Sequence, residues 1–217
     1  MKVFIRIGII FLFLVSLSCK SFGPAYPDAP GTIFVRQQIC DIDYFKKVFF
    51  DPQKNLRAEG FTAYSIHRSL EDPKGYLLVF QCSDLKRAVK YVQSSHFHSI
   101  CVGSGLGVPL MWAGVDVVRR KYVNQNPMTG GIVIERNEVK DYDFWKKWFD
   151  SANGMTGNYS IHDLKGMPEV VIVAQEVPDV FAARTLMNSD GMRNALEAAG
   201  VTKQEIWYGI NLEEGVF

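Results

Sequence analysis

The sequence predicts an α+β fold in which one β-α-β-β-α-β unit is used twice. Three observations predict it. Residues 31–49 recur 100 positions later: Gly31, Arg36, Asp41, Asp43, Lys46, Lys47 and Phe49 return as Gly131, Arg136, Asp141, Asp143, Lys146, Lys147 and Phe149. Beyond the loop at 51–60 the offset becomes 95, so that Tyr64-Ser65-Ile66-His67 returns as Tyr159-Ser160-Ile161-His162 and Trp112-x-Gly114 as Trp207-x-Gly209. Strand-like and helix-like segments also follow one another in the same order in both copies.

Each copy opens on a β-branched run after a glycine, residues 32–39 and 132–139, the pattern of a first strand. Asp43 and Asp143 are expected to cap the helix that follows. In Phe144-Trp145-Lys146-Lys147-Trp148-Phe149 the aromatics share one arc while both lysines point away, so this helix lays an aromatic face on something. Tyr44, Phe45, Val48 and Phe49 repeat the pattern. Residues 63–67 and 158–162 read as second strands and, after turn-rich stretches, 76–82 and 170–176 as third strands, which makes a hairpin. Asp84 and Asp179 cap second helices, with Leu85, Ala88, Val89 and Val92 at helical spacing in the first copy. Gly105 and Gly200 stop a further short helix, and the fourth strands carry Trp-x-Gly.

This order is the split βαβ of the ferredoxin-like class. One such sheet carries helices on one face and must bury the other. Two copies in tandem can do so by packing sheet to sheet, an intramolecular pseudo-dimeric α/β barrel that is expected to be monomeric. The Asp-aromatic-aromatic-Lys-Lys pattern, the hairpin, the second capped helix and Ala199-Gly200-Val201 resemble the dimeric α/β-barrel superfamily, most closely its small antibiotic-biosynthesis-monooxygenase-like and cyclase-like members. The resemblance covers roughly residues 31–120 and 130–214. It implies the fold, and on the functional side a cofactor-free oxygenase or a haem-modifying protein. It carries over no catalytic residue, so the sequence leaves open whether the chain is an enzyme.

The N-terminus carries a separate signal. Lys2 and Arg6 precede a continuous apolar run from Ile7 to Val15, too short to span a bilayer comfortably. Ser16-Leu17-Ser18-Cys19 then resembles a bacterial lipoprotein signal, although Ser16 stands where such signals usually carry Leu. Lipidation at Cys19 is the expected outcome, with ordinary secretory cleavage and an uncleaved anchor as alternatives. The organisation is therefore a signal peptide at 1–18, a lipid-anchored tether at 19–30, a first repeat at 31–122, a linker at 123–129 and a second repeat at 130–217. The location implied is the bacterial cell envelope, with the membrane as partner through the N-terminal lipid. Without Lys2 and Arg6 the 24 basic residues become one fewer than the 23 acidic ones, so nothing favours nucleic acid. Cys40, Cys82 and Cys101 have no counterparts in the second copy and are expected as small buried hydrophobes.

Candidate site residues come from the repeat. His67 and His162 end equivalent strands and serve either a ligand or a surface position at the hairpin mouth. Strand alternation places Tyr64 and Tyr159 on the opposite face from them. Arg36 and Arg136 sit among apolar residues and need an acidic partner (Glu135, Glu138 or Asp116) or an anionic ligand. Trp112 and Trp207 fill core space or line a pocket. These residues are expected beside the aromatic helices of Phe45 and Trp145. His96 and His98 lack counterparts, which puts the specialised site in the first half and keeps haem in view; no metal-ligand spacing appears. The leading expectation is a small apolar or aromatic ligand, ahead of an enzyme and of an envelope interaction protein without a pocket.

Overall fold

The computed structural model describes residues 26–217 apart from 52–53, 106–108, 121–129, 152–158 and 164–168. The signal at 1–18, Cys19 and the linker at 123–129 lie outside the described residues. The first half contains β1 (Gly31–Gln38), α1 (Ile42–Phe49), β2 (Phe61–Ser69), β3 (Gly75–Cys82), α2 (Leu85–Val92), α3 (Ser95–Ser104) and β4 (Leu110–Arg120). The second contains β5 (Gly131–Val139), α4 (Tyr142–Ser151), β6 (Tyr159–Asp163), β7 (Val170–Val177), α5 (Val180–Met187), α6 (Asp190–Ala198) and β8 (Val201–Val216).

All pairings are antiparallel, and the eight strands close into a barrel in the order β1-β3-β2-β8-β5-β7-β6-β4. The fourth strand of each half makes the closure. Residues 201–210 of β8 pair with β5, while 209–216 pair with β2 of the other half. Residues 110–115 of β4 pair with β1 and 115–120 with β6. A closed barrel leaves no unpaired sheet edge for other chains to template on.

Helices begin where side chains can satisfy free backbone N–H groups. Asp41, not Asp43, caps α1 by accepting from the Tyr44 amide, and Asp141 does the same for Phe144. Asp84, Ser94, Asp179 and Ser189 cap α2, α3, α5 and α6. Two different reasons place glycine at the helix stops. Gly200 has φ +82°, the left-handed cap. Gly105 is extended at φ −165°, and it is glycine because a Cβ there would lie 2.2 Å from the Gln38 carbonyl oxygen.

Alternation along the strands sorts the apolar residues into layers. Phe34, Leu77, Val79, Ile132, Ile134, Ile172 and Trp207 form one buried cluster drawn from both halves, with Trp112 packed against it. This is the barrel interior. On the outer faces the sheet meets the helices: Ile33, Val35, Phe45, Phe49, Phe80 and Phe97 in the first half, and Trp145, Phe149, Val171 and Val173 in the second. Each aromatic buried this way contributes about 1.5–3 kcal/mol of transfer free energy.

Candidate functional site: the sheet–helix cleft of the second half

The repeated histidines lie inside the barrel, not at its surface. His67 and His162 are 3% and 0% exposed. Each pairs with the serine two residues earlier on the same strand face: Ser65 Oγ is 2.8 Å from His67 Nε2, and Ser160 Oγ is 2.7 Å from His162 Nε2. Burial pushes the His67 imidazole down to about 3, so it is neutral, and its Nδ1 is buried without a partner. The His162 ring stands edge-on against Phe34 of the other half at 5.1 Å. Tyr64 faces the helices, as alternation requires, and donates its hydroxyl to Glu213. The side chains of Tyr159 and Asp116 lie outside the described residues.

The two arginines differ. Arg136 is mostly buried and pairs with Glu138 at 3.0 Å and Glu205 at 3.5 Å. Arg36 is exposed rather than buried, which corrects the expectation of a core cation. Trp207 is buried in the barrel interior with its indole across Gly209, where a Cβ would come within 2.1 Å of the ring. That contact explains the Trp-x-Gly spacing. Trp112 is partly buried in the same layer. Four candidates, Arg36, His67, Trp112 and Trp207, therefore belong to the barrel side of the sheet, as do Arg136 and His162. None lies beside the aromatic helices. His96 and His98 are exposed on α3, and no cluster of three metal-binding side chains occurs among the described residues. Cys82 and Cys101 are buried as expected, and burial raises the Cys101 thiol to about 12; Cys40 is exposed, because the chain leaves the sheet there.

A cleft of about 180 Å³ opens instead on the outer face of the second half. Its apolar walls are Trp145 and Trp148 of α4, Met187 of α5, and Met192 and Leu196 of α6. Its floor is β5 and β7, with Glu135, Asn137, Val173 and Gln175. Glu135 is 3% exposed. Loss of water raises its carboxyl to about 6, against the lowering effect of hydrogen bonds from Asn137 and Gln204. Glu135 Oε2 accepts from Gln204 Nε2 at 2.9 Å and from Asn137 Nδ2 at 3.4 Å. Glu135 Oε1 and Asn137 Oδ1 are both buried without a partner. Two unpaired acceptors in an aromatic cleft are costly unless something supplies donors.

Four positions in and around this cleft carry more apolar or bulkier residues in the first half. Val35 stands where Glu135 does, Phe80 where Gln175 does, Phe97 where Met192 does, and Ile100 where Ala195 does. Phe49 packs against Phe61, Phe80 and Phe97, with ring centroids 6.3, 5.1 and 5.6 Å away. Phe217, from the end of β8, adds a further ring against Phe50 and Tyr64. This polar-floored cleft is lined by residues of the second half. In the sequence Glu135 stood out as a candidate partner for the repeated arginines, a role that Glu138 and Glu205 take at Arg136.

The resemblance to known proteins is one of fold. No family model matches the chain, and no curated protein matches it. Among solved structures, a provisionally assigned monooxygenase from Fusobacterium nucleatum superposes with a TM-score of 0.62 at 10% identity, covering 88% of this chain and 96% of that one. A provisionally assigned monooxygenase from Lactobacillus acidophilus gives 0.59 at 11% identity, covering 87% and 98%. A haem-binding protein from Thermus thermophilus gives 0.50 at 12% identity, covering 88% and 95%. These neighbours show that the chain shares their fold, and at such identities they carry nothing further. A haem does not fit the cleft as described. The lining contains no imidazole or thiolate to ligate iron, and its volume lies below the roughly 300–1,000 Å³ of drug-sized pockets.

Proposed function

We propose that this chain is an exported, lipid-anchored envelope protein whose second half binds a small, mostly apolar ligand carrying one N–H donor or ammonium group. The observation that carries the reading is the pair of unpartnered buried acceptors, Glu135 Oε1 and Asn137 Oδ1, under a wall of tryptophan and methionine. An apolar body against Trp145, Trp148 and Met192 supplies the affinity, and the two acceptors fix its orientation. Benzylamine is a suitable probe. Its affinity rises as pH increases through about 6, where Glu135 ionises, and is lost in Glu135→Gln. Benzyl alcohol binds more weakly and without that pH dependence. Equal binding of both probes to the native chain and the variant contradicts the reading.

The neighbouring monooxygenases support a second reading, an oxygenase-type activity in the same cleft. Glu135 is the titratable group lining the cleft among the described residues, and at its raised pKa it is suited to take a proton from a bound substrate. The matching order of elements in the two halves supports a duplicated unit whose second copy replaces a partner subunit. The N-terminal signal supports anchoring at Cys19: Cys19→Ala abolishes fatty-acid labelling and moves the protein to the soluble exported fraction.

A further inference from the structure

The two repeated arginines have different cross-strand neighbours. In the second half, Arg136 and Glu205 are direct cross-strand partners, and Glu138 completes the site. At the matching positions of the first half, Arg36 faces Leu110 across the strands, and Gln38 stands in the place of Glu138. The guanidinium is kept while both of its carboxylates are gone, and Arg36 makes no ion pair among the described residues. A cavity of about 300 Å³ opens there at the mouth of the barrel, lined by Arg36, Gln38, Ser69, Asp72, Leu110 and Trp207.

We propose that this cavity binds a small monocarboxylate with a flat apolar body, whose carboxylate takes the place that the Glu205 side chain holds beside Arg136. An Arg–carboxylate contact is charge-assisted and can be bidentate. Leu110 and Trp207 face the apolar part of the ligand. Asp72 sets the charge limit. Its carboxylate accepts from Gln38 Nε2 at 3.0 Å and from the Lys74 amide at 3.0 Å, hydrogen bonds that hold it below the usual carboxylate range. It remains ionised at the rim and disfavours negative charge that is not paired with Arg36. The site lies on the barrel side of the sheet, whereas the Glu135 cleft lies on the helix side, so the two act independently.

Calorimetric titration of the full chain with benzoate tests the proposal. Native protein binds one benzoate, inorganic phosphate does not displace it, and Glu135→Gln leaves the affinity unchanged. Arg36→Gln weakens binding roughly tenfold or more, as expected for the loss of a charged hydrogen-bonding partner. Leu110→Glu weakens it similarly by giving Arg36 an internal carboxylate, as Arg136 has. Both positions are exposed, so both variants keep the native unfolding temperature. The proposal is overturned if native protein binds no benzoate, if the two variants bind it as native does, or if Glu135→Gln weakens it.

Discussion

Glu135 is a residue whose burial should be readable in the stability of the protein. Its carboxyl is raised from 4.5 to about 6, so the folded chain holds a proton that the unfolded chain releases between those values. The stabilising contribution is therefore complete below about pH 4.5 and is lost as pH rises through about 6. At pH 8 the buried carboxylate costs about 2 kcal/mol. Glu135→Gln should be more stable than the native chain by about that amount at pH 8 and equal to it at pH 4, measured by urea unfolding. No gain at pH 8 would mean that the carboxyl is solvated. His67 acts in the opposite direction. Its pKa is lowered from 6.5 to about 3, so its contribution is present above 6.5 and declines as pH falls towards 3. Comparing the variant with native protein at each pH cancels that term. Neither shift was legible in the sequence, because both depend on which strand face closes against protein.

At the scale of elements, strands and caps were legible because their signals are local. β-Branched runs, cap aspartates and the glycine stops each act within a few residues, and the observed boundaries differ from the expected ones by one or two positions. The cleft was less legible because three helices and two strands wall it. The substitutions that empty it, Phe97 to Met192 and Phe80 to Gln175 across the repeat, carry meaning only once α6 and β7 are placed together. Restoring the first half's solution should close it. Met192→Phe should fill the cavity and weaken benzylamine at least roughly tenfold. Folding stability should change by less than about 1.5 kcal/mol, because the added ring enters space already open. Unimpaired binding in that variant would place the ligand elsewhere.

At the scale of the whole molecule, the two halves follow the same order of elements, and the barrel joins them through the crossing strands β4 and β8. The sequence did not reveal which face each repeated polar residue would take. A strand's alternation is fixed, but its inside and outside are chosen by the partner sheet, and Arg36, His67 and their counterparts went to the barrel side. If the second half takes the place of a partner subunit, the folded part is monomeric. Sedimentation of the folded part, beginning near Pro30, should give one chain per particle; a stable dimer would mean that the halves pair between chains.

The central claim is that the ligand site is the second-half cleft around Glu135. Amide and indole N–H shift mapping of the ¹⁵N-labelled chain with benzylamine at pH 8 tests it most directly. The expected result is a compact set of shifts at Asn137, Gln175, Met192 and the indoles of Trp145 and Trp148, with the positions around Phe45 and Phe97 unmoved. Shifts confined to the first half, or none at saturating benzylamine, would contradict it.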